Sequence, residues 1–225
     1  MKAVLFCLAA LLAPSAWATT YTYAGPNYGT FTNFTSCTVG PCANYTASMS
    51  LHGSFTTASP LAANINTDIT SLVTSYNFSD GVNTYSSANS NARIWTFQIT
   101  TDGTGQITGA LILVELWQTG SSPHAVGSRV ALTAIGVGGT PNLSYNNLNC
   151  TAVGISPDSG VSDACNGTKT DSSSSEGFNT VAGAWSIAAS NVPALGEWGM
   201  ICLAVLLVLC AWYSFRSLQN AGGKA

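Results

Sequence analysis

Hydrophobic and polar residues alternate along most of the chain between residues 19 and 189. From Arg93 to Thr101, for example, the apolar side chains of Trp95, Phe97 and Ile99 are separated by polar ones. This period of two places alternate side chains on opposite faces of a β-strand. Strand-like stretches recur about every ten residues, with turn residues and no helical period between them. The pattern predicts an all-β domain over residues 19–189, a two-layer antiparallel sandwich of which the jelly roll is one form.

The clearest local element is a hairpin around Asp102-Gly103, a dipeptide typical of tight turns. The returning strand is apolar on both faces from Leu111 to Val114. We therefore expect it to be a central strand that a second sheet covers. The turn also predicts three facing pairs across the two strands: Ile99 with Ile107, Phe97 with Gly109, and Trp95 with Leu111.

The N-terminus has the organisation of a secretory signal peptide. Lys2 supplies a positive charge, residues 3–13 are apolar, and Ala16-Trp17-Ala18 forms a small-x-small cleavage site. We expect residues 1–18 to be removed, so that the mature chain begins at Thr19.

The C-terminal end contains a second apolar stretch. The residues from Met200 to Phe215 carry no charge, and Arg216 follows them directly. As a helix they would extend over about 24 Å, close to the thickness of a bilayer core. The sequence therefore predicts a linker at residues 190–199, a transmembrane helix at residues 200–215 and a cytoplasmic basic tail at residues 216–225.

A short motif lies just ahead of this span, where the chain reads Val-Pro-Ala-Leu-Gly-Glu-Trp-Gly. Followed by the span and a basic residue, it resembles the IPTL-CTERM sorting signal of Gram-negative bacteria, typically Ile-Pro-Thr-Leu-x-x-Trp-Gly. The resemblance implies that an exosortase-type membrane transpeptidase cuts near the motif. The protein would be anchored transiently in the membrane and then reach the cell envelope, surface or extracellular matrix. The residues of the predicted motif are Val192, Pro193, Leu195, Glu197, Trp198 and Gly199, with Val192 and Ala194 departing from the typical pattern.

A broader resemblance lies in the domain itself. Turn-rich motifs follow one another at Tyr21–Gly25, Gly53–Phe55, Phe78–Gly81 and Thr101–Gly105. Their succession is similar to that in secreted bacterial proteins with C-terminal sorting tails, including PEP-CTERM proteins. This resemblance implies no defined activity.

Charged residues are few in the domain, with three Lys/Arg against eight Asp/Glu between residues 19 and 191 and a net charge of about −5. A nucleic-acid-binding surface needs clustered cations that displace counterions from phosphates. The sequence has no such cluster and therefore argues against nucleic acid as a partner. Its many hydroxyl and amide groups suit contact with exopolysaccharide.

Four of the seven cysteines lie in the domain: Cys37, Cys42, Cys150 and Cys165. Four cysteines allow three pairings, and we favour Cys37–Cys42 with Cys150–Cys165 because each pair brackets a turn-rich segment. Such disulfides fit an oxidising compartment. Zinc is disfavoured because neither spacing is Cys-x-x-Cys, and the sequence predicts no metal site and no cofactor.

Candidate catalytic residues are sparse. Two histidines could act as a base, His52 on the polar face of a strand and His124 in a loop, and no Gly-x-Ser-x-Gly elbow accompanies them. Glu115 is the only acid within an apolar strand, where burial can raise the pKa of a carboxyl group. We expect Glu115 to face Arg129 in a structural ion pair.

The other acids lie in turns and loops. Asp80 and Asp102 each precede a glycine and are predicted to form turns. Four more offer the oxygen ligands that calcium prefers, but their spacing is not that of an EF-hand: Asp158, Asp163, Asp171 and Glu176. We favour a solvated loop stabilised by a disulfide.

Three hypotheses about function follow. We favour a non-enzymatic exported protein that acts in envelope structure, matrix or adhesion. The second hypothesis is a carbohydrate-binding module with an exposed aromatic platform drawn from Tyr21, Tyr23, Tyr28, Tyr76 or Tyr85. The third is a glycoside hydrolase, which would need Glu115 and another carboxylate within about 10 Å in one cleft.

Overall fold

The computed structural model describes residues 18–137 and 140–188. The predicted signal peptide apart from Ala18, the sorting motif, the transmembrane helix and the basic tail lie outside these ranges. The described residues form β-strands and a single 3-10 turn at Thr70–Leu72. No helix in this part of the chain is long and apolar enough to cross a membrane.

The strands are short to medium in length and follow one another along the whole described region. In chain order they are β1 (Thr19–Asn27), β2 (Thr30–Thr32), β3 (Ser50–Thr57), β4 (Asn66–Asp68), β5 (Val73–Ser79), β6 (Thr84–Ser86), β7 (Ala92–Thr101), β8 (Ile107–Trp117), β9 (Arg129–Val137), β10 (Thr140–Gly154), β11 (Ala164–Lys169), β12 (Ser175–Asn179) and β13 (Ala184–Ala188).

These strands form two antiparallel sheets that pack face to face, so the predicted all-β sandwich is confirmed. The five-stranded sheet has the order β13-β1-β3-β5-β6. The eight-stranded sheet has the order β2-β12-β10-β9-β8-β7-β4, with β11 paired to β10. Strand β8 lies between β7 and β9, and its central position is as predicted.

The main hydrophobic core lies between the two sheets. Aromatic side chains dominate the contribution of the five-stranded sheet, and aliphatic ones that of the eight-stranded sheet. Burial of this apolar surface is the main source of stability, at about 25 cal/mol per Å². The largest buried members include Tyr21, Tyr23, Phe55, Phe78 and Tyr85 from the first sheet and Phe97, Ile99, Ile112 and Val114 from the second.

A smaller core lies on the opposite face of the eight-stranded sheet, around Trp117, Val130 and Leu148. The chain folds back over it after β10, and we call residues 155–163 the clasp loop. Its Ser156 Oγ donates to the carbonyl oxygen of Trp95 at 2.9 Å, and its Ser159 Oγ donates to that of Ile94 at 2.6 Å. The part of the eight-stranded sheet around Trp117 is therefore covered on both faces.

The predicted register of the β7–β8 hairpin is wrong. Ile99 faces Ala110 and Phe97 faces Ile112, because Asp102 does not form a two-residue turn. The Asp102 N–H instead donates to the carbonyl oxygen of Gln106 at 2.9 Å, which closes a longer loop. A bulge between Ile94 and Thr96 also turns Trp95 to the other face of the sheet, beside Leu113 and Leu132.

Candidate functional site

The outward face of the five-stranded sheet is a nearly continuous array of small polar side chains. Strand pairing aligns them in rows that cross the strands, and we call these rows together the hydroxyl face. The central row is Ser186, Thr22, Ser54, Asn77 and Ser86, one residue from each strand. The two flanking rows are Ala184, Ala24, His52, Ser79 and Thr84 on one side, and Ala188, Thr20, Thr56 and Ser75 on the other.

The sequence creates this face by the period of two predicted for the strands. In β1, Tyr21 and Tyr23 point into the core, so Thr20, Thr22 and Ala24 point outward. The same alternation in β3 buries Phe55 and leaves its neighbours on the outside. The aromatic rings of the sheet thus stabilise the sandwich, and the residues between them form the exposed surface.

The hydroxyl face carries no Asp, Glu, Lys or Arg. Within the described residues, none of the five strands of this sheet contains a charged side chain on either face. The charged residues of the described region lie instead on the eight-stranded sheet, its loops and the turns. A surface of this kind can form many hydrogen bonds but offers no fixed charge to a partner.

A shallow groove of about 520 Å³ crosses the middle of the hydroxyl face. The side chains that line it belong to the central row and one flanking row, among them Thr22, His52, Ser54, Asn77 and Thr84. His52 is exposed on the polar face of its strand, as predicted. Its Nδ1 lies 3.2 Å from the carbonyl oxygen of Ser50. No carboxylate or other charged side chain lines the groove.

The aromatic platform predicted from five tyrosines does not exist, because all five side chains are buried. Tyr21, Tyr23 and Tyr28 are at most 2% exposed, Tyr76 is 7% exposed and Tyr85 is inaccessible. Four of the hydroxyl groups form hydrogen bonds within the protein; that of Tyr23, for example, donates to Asn142 Oδ1 at 2.6 Å. The pattern of alternation placed these residues on a strand face, but it did not show which face would be covered.

A second group of polar residues lies under the clasp loop. Asp163 Oδ2 accepts hydrogen bonds from Arg93 Nη2 at 3.0 Å and contacts His124 Nδ1 at 2.8 Å. Burial acts to raise the pKa of Asp163, but the hydrogen bonds from His124, Ser122 and Arg93 outweigh it and hold that pKa at about 2. The Trp117 indole N–H donates to the carbonyl oxygen of Asp163 at 2.8 Å. These contacts fasten the end of the clasp loop to the sheet.

Glu115 is fully buried beneath the same loop. Both of its carboxylate oxygens accept from the Cys165 N–H, at 2.9 and 3.2 Å. Burial raises its pKa to about 7, and the opposing effects of the Cys165 N–H and of Arg93 are smaller. The predicted pairing with Arg129 is wrong, because β8 and β9 align so that Glu115 faces Leu132, and Arg129 pairs with Asp171 instead. On the other side of β8, Glu115 faces Arg93 of β7.

The arrangement around Glu115 does not resemble an open hydrolytic cleft. Glu115 has no accessible surface, and Asp163, the nearby carboxylate, is engaged by Arg93 and His124. His124 lies in a loop as predicted, but its side chain is buried and stacks on Trp117 with ring centres 4.3 Å apart. The four groups therefore hold the clasp loop in place rather than facing a substrate.

Asp80 forms the turn predicted before Gly81, but it also has a structural role that the sequence analysis missed. Its Oδ2 accepts from Tyr45 Oη at 2.9 Å and from Tyr85 Oη at 2.8 Å, and all three side chains are buried. Its Oδ1 accepts from the N–H of Val82 at 2.8 Å. Only the Asp-Gly dipeptide signals this site in the sequence, because Tyr45 is far away along the chain.

Strand β10 carries buried amides that no motif predicted. Asn142, Asn146 and Asn147 have no accessible surface. Asn146 Nδ2 donates to the carbonyl oxygen of Pro41 at 2.9 Å, and Asn147 Nδ2 donates to that of Val39 at 2.7 Å. The amides thereby fix the loop closed by the first disulfide. Asparagine is disfavoured in strands, so its repetition in a strand is the one signal that could have revealed this role.

The acidic segment from Asp158 to Glu176 is less solvated than predicted. Asp163 pairs with Arg93, and Asp171 pairs with Arg129 at 2.6 Å. The serines at positions 173–175 are buried. No group of three or more His, Cys, Asp or Glu in the described ranges could hold a metal ion. Two acids of this segment, Asp163 and Asp171, therefore serve separate ion pairs, and the four do not converge on one centre.

Both predicted disulfides are present. Cys37 pairs with Cys42 and Cys150 pairs with Cys165, each with a Cα–Cα distance of 5.8 Å. The second disulfide belongs to the smaller core and closes the segment that contains the clasp loop. Local pairing, inferred from the turn-rich segments between the cysteines, is confirmed.

The predicted sorting motif, Val192 to Gly199, lies outside the described residues, and so does the span that follows it. Its resemblance to the IPTL-CTERM signal stays a prediction. Comparison of the chain with models of protein families, with curated proteins and with solved structures finds no match in any of the three.

Proposed function

We propose that this chain is an exported protein of the cell envelope, surface or extracellular matrix, with a non-enzymatic structural or adhesive role. The observation that carries the proposal is the pair of disulfides in the domain. Disulfides persist in oxidising compartments and are rare in the reducing cytosol. The predicted signal peptide and the predicted C-terminal sorting signal favour the same destination.

The non-enzymatic role is favoured by how the chemically capable side chains are used. Glu115 is buried against the Cys165 N–H, and His124 is buried between Asp163 and Trp117. A general acid or base must reach the proton that it transfers in a bound substrate. These groups support the clasp loop, whereas the accessible hydroxyl face offers hydrogen bonds and a single histidine.

The C-terminus of the mature protein tests this proposal. In the native host we expect intact-mass spectrometry to find a chain that starts at Thr19 and ends between Val192 and Gly199. Substitutions in the predicted motif, Pro193→Ala or Trp198→Ala, are expected to leave a chain that still ends at Ala225. The sorting enzyme would no longer recognise its signal.

Pro157→Ala provides the matched control, because this exposed proline lies in the clasp loop and outside the motif. It should be processed like the wild-type protein. A wild-type surface protein that retains Ala225, or cleavage that the motif substitutions leave unchanged, would refute the sorting step.

A further inference from the structure

We propose that the hydroxyl face binds a linear, uncharged polysaccharide that lies across the strands along the central row. This inference rests on the proposed export of the protein, because the partner is a polymer found outside the cytoplasm. It is independent of how the tail is processed. Three properties of the face support it: its bonding groups, its lack of charge and its spacing. A fourth, its lack of exposed Phe, Tyr or Trp rings, decides how long the polymer must be.

The bonding groups of the central row match those of a polyol. Ser186, Thr22, Ser54 and Ser86 present hydroxyl groups, and Asn77 presents an amide. Hydroxyls and amides can each both donate and accept a hydrogen bond. Sugar hydroxyls have the same dual character, so the two surfaces can satisfy each other in many relative positions along a chain.

The distribution of charge selects an uncharged polymer. No strand of the five-stranded sheet contains a charged residue. The three described cations belong to the other sheet, where Arg93 pairs with Asp163, Arg129 pairs with Asp171, and Lys169 ends β11. An anionic polymer would find no cation to pair with on the hydroxyl face and would be repelled by the net negative charge of the domain. A neutral polymer needs no such cation and is not repelled.

The spacing of the rows favours a linear polymer over a small sugar. Strands in a sheet are about 4.8 Å apart, so a row across five strands extends over about 19 Å. Adjacent rows are about 6.8 Å apart, since they are two residues apart along each strand. The groove at Thr22, His52 and Asn77 follows the boundary between two rows, and its direction is therefore across the strands.

The absence of exposed Phe, Tyr and Trp rings makes length important. Every Phe, Tyr and Trp side chain of the five-stranded sheet belongs to the core or packs against it, so none of these rings is free to stack on a sugar. Binding must then be the sum of many weak hydrogen bonds, each of which competes with water. We expect polymers to bind and short oligosaccharides of the same composition not to bind measurably, because the linked contacts act together.

Affinity electrophoresis of the full-length chain in mild detergent tests the inference. The gels contain hydroxyethylcellulose, galactomannan or dextran as neutral polymers, and alginate as the anionic one. We expect at least one neutral polymer to retard the protein, with little change between about 50 mM and about 500 mM salt, because no charges are involved. Alginate should not retard it.

Two matched pairs of Thr→Val substitutions locate the contact. Thr22→Val with Thr84→Val removes two hydroxyls that line the groove and should weaken retardation by about tenfold. Thr32→Val with Thr67→Val removes two exposed strand hydroxyls from the eight-stranded sheet and should change it by less than about twofold. Isosteric changes at exposed strand positions preserve the fold, and circular dichroism verifies this.

Three results would overturn the inference. The first is that no neutral polymer retards the protein, and the second is that both double Thr→Val variants lose retardation equally. The third is that alginate retards the protein and that this retardation falls with salt. Self-association abolished by Thr22→Val with Thr84→Val would assign the face to a second copy of the chain instead. Failure here would leave the proposed function intact if the tail is processed as expected. An unprocessed tail would contradict the sorting step without affecting polymer binding.

Discussion

Two buried carboxyl groups, Asp80 and Glu115, show how local contacts decide the ionisation of similar side chains. Asp80 accepts hydrogen bonds from two tyrosine hydroxyls and from two backbone N–H groups. Burial raises its pKa, and these donors oppose the rise. Glu115 has one backbone donor, from Cys165, and burial raises its pKa to about 7. Glu115 is therefore the carboxyl group that burial penalises near neutral pH.

Replacement of Glu115 by glutamine should reveal this penalty. The pKa of Glu115 is raised from 4.5 to about 7, so the folded state favours the protonated form. The stability that this preference contributes is complete below pH 4.5 and is lost as the pH rises through about 7. We expect urea unfolding to show that the free energy of unfolding of Glu115→Gln rises relative to that of the wild-type protein between these pH values. The relative increase should reach about 3 kcal/mol.

Asp102→Asn gives a control of opposite sign. Hydrogen bonds from Thr104 lower the pKa of Asp102, so the stability it contributes is present above its unfolded pKa and is lost as the pH falls. The free energy of unfolding of this variant should not rise relative to that of the wild-type protein between pH 4.5 and 7, the range in which Glu115 titrates. A flat difference for Glu115→Gln over the same window would mean that Glu115 is ionised without penalty.

Turn chemistry at single residues was predictable, and convergence of distant residues was not. The Asp-Gly dipeptide identified the turn at Asp80 because that conformation depends on adjacent residues. Tyr45 lies 35 positions before Asp80, and only the pairing of whole strands brings it within 2.9 Å. The contacts of His124 with Asp163, 39 positions later, depend on the path of the clasp loop in the same way.

At the scale of elements, the strands were predictable but their register was not. The alternation of side chains located β7, and the apolar run from Leu111 to Val114 indicated the central place of β8. Their alignment depends on the longer loop that Asp102 and Gln106 close and on the bulge at Trp95. A shift of register changes every facing pair, including that of Glu115. Neither the loop nor the bulge has a signal as strong as the alternation.

The Cys150–Cys165 disulfide is the element that secures the clasp loop, and its removal should be costly. In the chain-entropy model, a loop of 15 residues gives about 3 kcal/mol of stabilisation. We expect the double substitution Cys150→Ala with Cys165→Ala to lower the free energy of unfolding by about that amount or more, since both sulfurs also belong to the smaller core. Urea unfolding monitored by tryptophan fluorescence measures the loss.

Cys37→Ala with Cys42→Ala is the matched comparison. Its loop spans five residues, Cys37 is exposed and Cys42 is half-buried, so the loss should be smaller, about 2 kcal/mol in the same model. Equal losses in the two variants would contradict the role given to the clasp loop.

At the scale of the whole molecule, the two sheets divide the chemistry of the chain between them. Composition predicted a domain with few charges, but not that every strand of one sheet would lack them. That division depends on which strands pair, and non-local pairing has no counterpart in local sequence. The same limit explains why the tyrosines were wrongly predicted to form an exposed platform. The sequence indicated that they share a strand face, but not that a second sheet covers that face.

The last described strand closes the sandwich, and its one tryptophan should matter to the stability of the entire domain. Trp185 packs on Tyr23 with ring centres 4.9 Å apart and on Phe55 at 5.6 Å. Trp185→Ala should lower the free energy of unfolding by about 2–4 kcal/mol, as large-to-small changes in cores do. Ser186→Ala, at the adjacent exposed position, should change it by less than about 0.5 kcal/mol. Similar values for the two variants in urea unfolding would show that β13 does not complete the core.

The pairing of β13 with β1 also has a mechanical meaning. Five residue pairs, from Thr20 with Ala188 to Ala24 with Ala184, join the strand that leads to the tail to the first strand of the domain. Consider a force applied at Ala188 along the direction of β13 while a polymer held the sheet. The hydrogen bonds of the pair would then be loaded together in shear instead of opening one after another. Under tension, the β1–β13 pairing would set the force at which the domain begins to unfold.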